Sequence, residues 1–155
     1  MIPCVFRRRR RSESWEELAE RLGVPPPLEV VADAEDLAEG GVGALLEELR
    51  PELRARGVEY GRVDDVFDES YDRYQVVVDA RSYPIYERPS WDRAWQGTFA
   101  LVNDLLERAG AEDRAYAASE WTWWLLAPAQ AERVNAEVEK PRERLYRPDL
   151  EPEPR

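Results

Sequence analysis

The sequence predicts an α+β fold in which a small antiparallel sheet is covered on one face by helices. Three observations carry that expectation. Apolar residues recur at helical spacing near the start of the chain, across 42–53 and across 91–109. Two runs rich in β-branched and aromatic residues, 58–63 and 74–79, lie between those helices. A third run at 83–87 follows after only a short turn, and short connections join antiparallel neighbours rather than crossovers. The boundaries expected are a flexible basic arm over 1–13, one α+β domain over 14–140 and a disordered tail over 141–155.

Each element has local signals. Ser14-Trp-Glu-Glu17 is a capping box, Trp15, Leu18, Ala19 and Leu22 share a helical face, and Gly23 ends that helix. Pro25-Pro-Pro27 is an extended spacer before a short strand or extended entry at 28–32. Asp33-Ala-Glu-Asp36 starts a brief helical turn that Gly40-Gly41 breaks. Val42, Leu45, Leu46, Leu49 and Leu53 resume the period up to Gly57, and Pro51 is expected to kink or divide that helix.

The strands expected in the middle are 58–63, 74–79 and 83–87, and Pro84 marks the last as an edge. Ser90 is the predicted cap of the strongest helix, whose stripe includes Trp91, Trp95, Phe99, Val102 and Leu106 and which Gly110 stops. Residues 114–119 and 120–127 read as a hairpin or as one long bent strand. Pro128 opens a final helix with Ala131, Val134 and Val138 on one side, ended by Pro141.

Composition removes much of the usual chemistry. The 155 residues contain no histidine and one cysteine, Cys4, so imidazole-based triads, His/Cys zinc sites and an internal disulfide framework are all excluded. No run approaches the roughly 18 apolar residues of a membrane span, and no apolar leader opens the chain. Phosphate-loop, dinucleotide and nucleophile-elbow motifs are missing; Gly40-Gly-Val-Gly43 has no lysine after it and lies in acidic surroundings. These features favour a cytoplasmic protein that is not an enzyme and needs no cofactor. Of 22 cationic residues only Lys140 is lysine, a bias expected of GC-rich bacterial coding.

The net charge of −11 is uneven: residues 1–14 sum to +4 and the rest to −15. An acidic body repels nucleic acid and attracts basic protein surfaces. Apolar residues 1–6 followed by Arg7–Arg11 also combine the two signals of weak membrane-surface contact. Asp64, Asp65, Asp68, Glu69 and Asp72 gather in one connection with Phe67 and Tyr71, an arrangement that fits docking of a basic partner, a solvated turn, or an oxygen-ligand metal loop. The spacing does not match an EF-hand. On a strand, Trp121 and Trp123 face one way and Trp124 the other, so at least one indole face should be buried, with Trp91 and Trp95 available to pack on it.

Tyr83-Pro-Ile-Tyr86, Trp91, Ala94, the run 99–106 and Tyr116 make residues 74–126 resemble a group of small, uncharacterised bacterial α+β proteins. In size and charge the chain is also similar to immunity proteins of bacterial toxin systems, a likeness that implies binding to a basic toxin and carries over no residues. The function expected is therefore that of a non-catalytic acidic binding protein, of immunity or antitoxin type, whose contacts are Asp64, Asp65, Asp68, Glu69, Tyr71 and Asp72, with Trp121 or Trp123. The alternatives are a small-ligand or carbohydrate-binding domain built on the Trp-rich strand and a metal-dependent enzyme built on the acidic loop.

Overall fold

Ser14 and Glu17 bond each other's backbone N–H groups at 3.1 and 2.8 Å, and helix α1 (Trp15–Leu22) follows directly. The computed structural model describes residues 13–87 and 93–151. Gly23 ends α1 in the left-handed region, φ +66°. Strand β1 (Leu28–Glu29) is short, and Asp33 and Asp36 cap each other's N–H groups around α2 (Ala34–Asp36). A widened turn over 37–41, with Gly40 at φ +106°, delivers the chain into α3 (Val42–Ala55). Pro51 does not divide α3. It stands on the exposed side of the helix, away from the core.

The next strand differs from expectation. Val58 and Tyr60 are buried in strand-like alternation, yet β2 is Val63–Phe67. Side chains satisfy the backbone before it: Arg50 donates to the carbonyls of Tyr60 and Gly61, and the Asp79 carboxylate accepts the N–H groups of Gly61 and Arg62. Strands β3 (Arg73–Val78) and β4 (Arg81–Glu87) complete an antiparallel sheet in the order β2-β3-β4. Helix α4 (Ala94–Arg108) lies so close to β4 that a Cβ on Gly97 would stand 2.6 Å from the Ile85 carbonyl oxygen. Ser90 and Trp91, like the Arg7–Arg11 arm and residues 152–155, lie outside the described residues.

Residues 114–126 form a hairpin of β5 (Arg114–Ser119) and β6 (Thr122–Leu126), and β1 joins it in a second antiparallel sheet, β1-β6-β5. The α+β class is therefore realised with two three-stranded sheets. Trp123 and Leu125 face the main core with α3 and α4, whereas Trp124 and Leu126 face a smaller core with α1 and α5 (Pro128–Ala136). This second sheet is thus apolar on both faces, and continuous burial replaces alternation along β6.

The expected disorder after Pro141 does not hold for residues 141–151. A 3₁₀ turn spans Pro141–Glu143 and Leu145 is buried in the smaller core. Asn135 bonds both the N–H and the carbonyl of Leu145, at 2.8 and 3.0 Å, and Tyr146 bridges to Ala117. The segment is irregular and held by scattered contacts, so it leaves no periodic pattern in the sequence.

Candidate functional site

The β2–β3 hairpin contains all six residues expected to bind a partner between 64 and 72. It separates them by role. Asp65 is exposed at the sheet edge yet stands on the α3 side of β2, where its carboxylate accepts the Tyr74 hydroxyl and, at 3.0 Å, the N–H of Gly43 in the first turn of α3. The Tyr74 oxygen in turn accepts the Val42 N–H at 3.2 Å. Burial first, and the Asp65 carboxylate second, raise the Tyr74 pKa far above the usual tyrosine range, so the hydroxyl remains a donor. Asp65 and Tyr74 together cap α3, which has no capping side chain of its own because Gly40 and Gly41 precede it.

Asp68 organises the turn. Its carboxylate accepts the N–H groups of Asp72 at 2.7 Å and Arg73 at 3.1 Å and the Ser70 hydroxyl at 3.3 Å. The Arg73 N–H is the leading cause of a carboxyl held below its usual pKa range. Asp64 pairs with Arg62 at 2.7 Å on the exposed side, and such a pair adds little stability. Tyr71 sits at the tip with φ +57° and 65 % exposure, its ring centroid 5.4 Å from that of Phe67, which stacks at 4.4 Å on Tyr74. The tip thus presents an aromatic ring on a turn already fixed by hydrogen bonds.

Sequence reasoning missed Val66. It is exposed, on the face of β2 opposite to Asp65, and lies opposite Gln75 of β3, which lies opposite Pro84 of β4. A single valine among acids carries no sign of exposure in the sequence; only the register turns it outward. Among the described residues no three carboxylates converge in a way that holds a metal ion, so the metal-loop reading gains nothing from the geometry.

The tryptophans divide as well. Trp121 occupies the β5–β6 turn beside Glu120 and is 47 % exposed. Trp123 is wholly buried, stacked on Phe99 at 3.7 Å with Trp95 edge-on at 5.9 Å, and its indole N–H has no acceptor among the described residues. A partner could reach Trp123 only if the core opened, so Trp123 is removed from the contact surface. Trp124 is buried too and donates to the Pro25 carbonyl at 2.6 Å. A cleft of about 340 Å³ lies beside this hairpin, lined by Trp95, Ser119, Glu120, Arg142, Arg144 and Tyr146 among others. Its arginines come from the segment expected to be disordered, which is why the cleft could not be anticipated from sequence.

No protein-family model, curated protein or solved structure matches the chain.

Proposed function

We propose that the chain is a non-catalytic binding protein of immunity or antitoxin type, acting in the bacterial cytoplasm, whose β2–β3 hairpin docks a basic surface of a partner protein. The observation that supports it is the exposure of Tyr71 and Val66 on one preorganised hairpin among Asp64, Glu69 and Asp72. Aromatic and aliphatic anchors supply contact area that resists dissociation, and the surrounding carboxylates steer a cationic partner inward. Asp65 and Asp68 are exposed but engaged within the hairpin, holding it on α3 and fixing its turn. Among the described residues no helix is long and apolar enough to cross a membrane.

The test is affinity capture from the native host with the full chain and with a Tyr71→Ala, Asp64→Asn, Glu69→Gln variant. A partner held by the parent chain should be lost by the variant and released by raised salt. Equal capture by both proteins, insensitive to salt, refutes the proposal.

The cleft favours a second reading, that of a small-ligand or carbohydrate site. Trp95 and Tyr146 form its aromatic side, joined by an indole N–H to hydroxyl bond of 3.3 Å, and Trp121 is exposed next to Glu120 nearby. Titration with neutral oligosaccharides, followed by tryptophan fluorescence in parent and Trp95→Phe proteins, decides it. An unchanged signal in the parent removes that reading.

A further inference from the structure

Two three-stranded sheets expose four edges, and three of them are blunted by identifiable devices. On β5, the Asn103 side chain accepts the Ala115 N–H at 2.7 Å and donates to its carbonyl, and Tyr146 pairs with Ala117 in both directions. On β4, Pro84 has no N–H to offer, a register shift follows it, and α4 crowds the Ile85 carbonyl. β1 is two residues long and follows three prolines. The remaining edge is β2.

The ladder fixes which groups β2 turns outward. The Asp79 N–H bonds the Arg62 carbonyl and the Asp68 N–H bonds the Arg73 carbonyl, so the hydrogen-bonded pairs with β3 fall on even-numbered residues of this strand. The N–H and C=O groups of Val63, Asp65 and Phe67 therefore point away from β3. Among the described residues, no hydrogen bond reaches them. Beside them stand Asp64 and Val66 on the outer face and Asp68 at the strand's end.

We infer that β2 takes up an extended, basic segment of the partner as an added strand, with main-chain bonds to Val63, Asp65 and Phe67 and cationic side chains beside Asp64 and Asp68. This rests on the docking role proposed above and specifies how the hairpin is engaged. Strand addition draws affinity from the main chain and selectivity from alternate side chains. A second copy of the chain is a poor occupant. Antiparallel self-pairing centred on Asp65 sets two Asp65 residues opposite each other, and like charges directly opposed are unfavourable. Asp65 thus disfavours self-association, while Asp64 and Asp68 favour a cationic strand.

The test uses the full chain and the peptide Lys-Val-Lys-Thr-Lys-Val-Lys, together with a peptide of the same sequence methylated on every backbone nitrogen. Charge and side chains are then unchanged while the N–H donors are gone. The parent peptide should bind, slow amide exchange at Val63, Asp65 and Phe67, and lose at least about tenfold in affinity on methylation. Equal binding of the two peptides overturns strand addition and leaves basic docking standing. Failure of both peptides to bind, even at low salt, overturns both. Binding with exchange slowed elsewhere and not along β2 also refutes the inference.

Discussion

Gly43 and Asp65 provide a direct test of the claim that the acidic hairpin is partly structural. A Cβ on Gly43 would stand 2.4 Å from Asp65 Oδ2 and 3.0 Å from its Cγ, so Gly43→Ala must push the carboxylate off the α3 N–H group it accepts. A hydrogen bond to a charged acceptor contributes about 1.5–3 kcal/mol. Replacing Gly by Ala within a helix returns up to about 1 kcal/mol. Gly43→Ala should therefore destabilise the parent protein by roughly 0.5–2 kcal/mol. Asp65→Ala should itself cost roughly 2–4 kcal/mol, because the Tyr74 hydroxyl and the Gly43 N–H both lose their acceptor. In that background the new methyl meets vacated space and only the helix gain remains. Gly43→Ala then becomes stabilising by up to about 1 kcal/mol. Urea denaturation of all four proteins at neutral pH, with the m-value checked for constancy, measures the cycle. An effect of Gly43→Ala with the same sign in both backgrounds, agreeing within about 0.5 kcal/mol, would refute tertiary capping of α3.

Three further outcomes follow from the geometry. Ala80 occupies the β3–β4 turn at φ +68°, and Ala80→Gly should raise stability by about 0.5–1 kcal/mol, seen as a higher melting temperature; a lower one would mean that the turn is not strained there. Trp123→Ala should cost about 3–5 kcal/mol in urea denaturation and Trp121→Ala about 0.5 kcal/mol or less, and equal costs would contradict the division between core and surface. Burial pushes the Tyr60 and Tyr83 hydroxyls up to about 12, with Asp104 adding to the rise at Tyr83. Their protonated forms are favoured in the folded state, so this contribution is complete below pH 10 and is lost as pH climbs from about 10 to about 12. Urea midpoints should fall over that interval and fall less in Tyr60→Phe; midpoints flat to pH 12 would refute the buried-tyrosine account.

Local chemistry made many elements legible. Ser14 with Glu17, Asp33 with Asp36, and Gly23 acted as end signals because a cap involves only residues three or four apart. The helical stripe of α4 and the alternation of β3 were read correctly for the same reason. Strand β2 was placed five residues too early. Val58 and Tyr60 alternate like a strand, but Arg50 and Asp79 take the backbone groups around them. The sequence reading offers Trp123 as a possible contact and passes over Val66, since hydrophobicity does not reveal which side of a sheet is left bare.

The sequence by itself determined the α+β class, the capped start and end of α1, the acidic body and the absence of imidazole chemistry, all of which depend on near neighbours or on composition. The last helix, by contrast, is expected to run to Pro141 and ends at Ala136. The tertiary structure alone decided which acids are available. Asp65 is tied to Gly43, 22 residues away, and Asp68 to its own turn, while Glu69 and Tyr71 are left at the tip. It also decided that β2 is the edge left open among the described residues, because Asn103 and Tyr146 close β5 and α4 crowds β4 from distant points in the chain. A carboxylate or an edge strand looks the same in sequence whether or not a remote donor satisfies it, and only the folded chain brings that donor within hydrogen-bond reach.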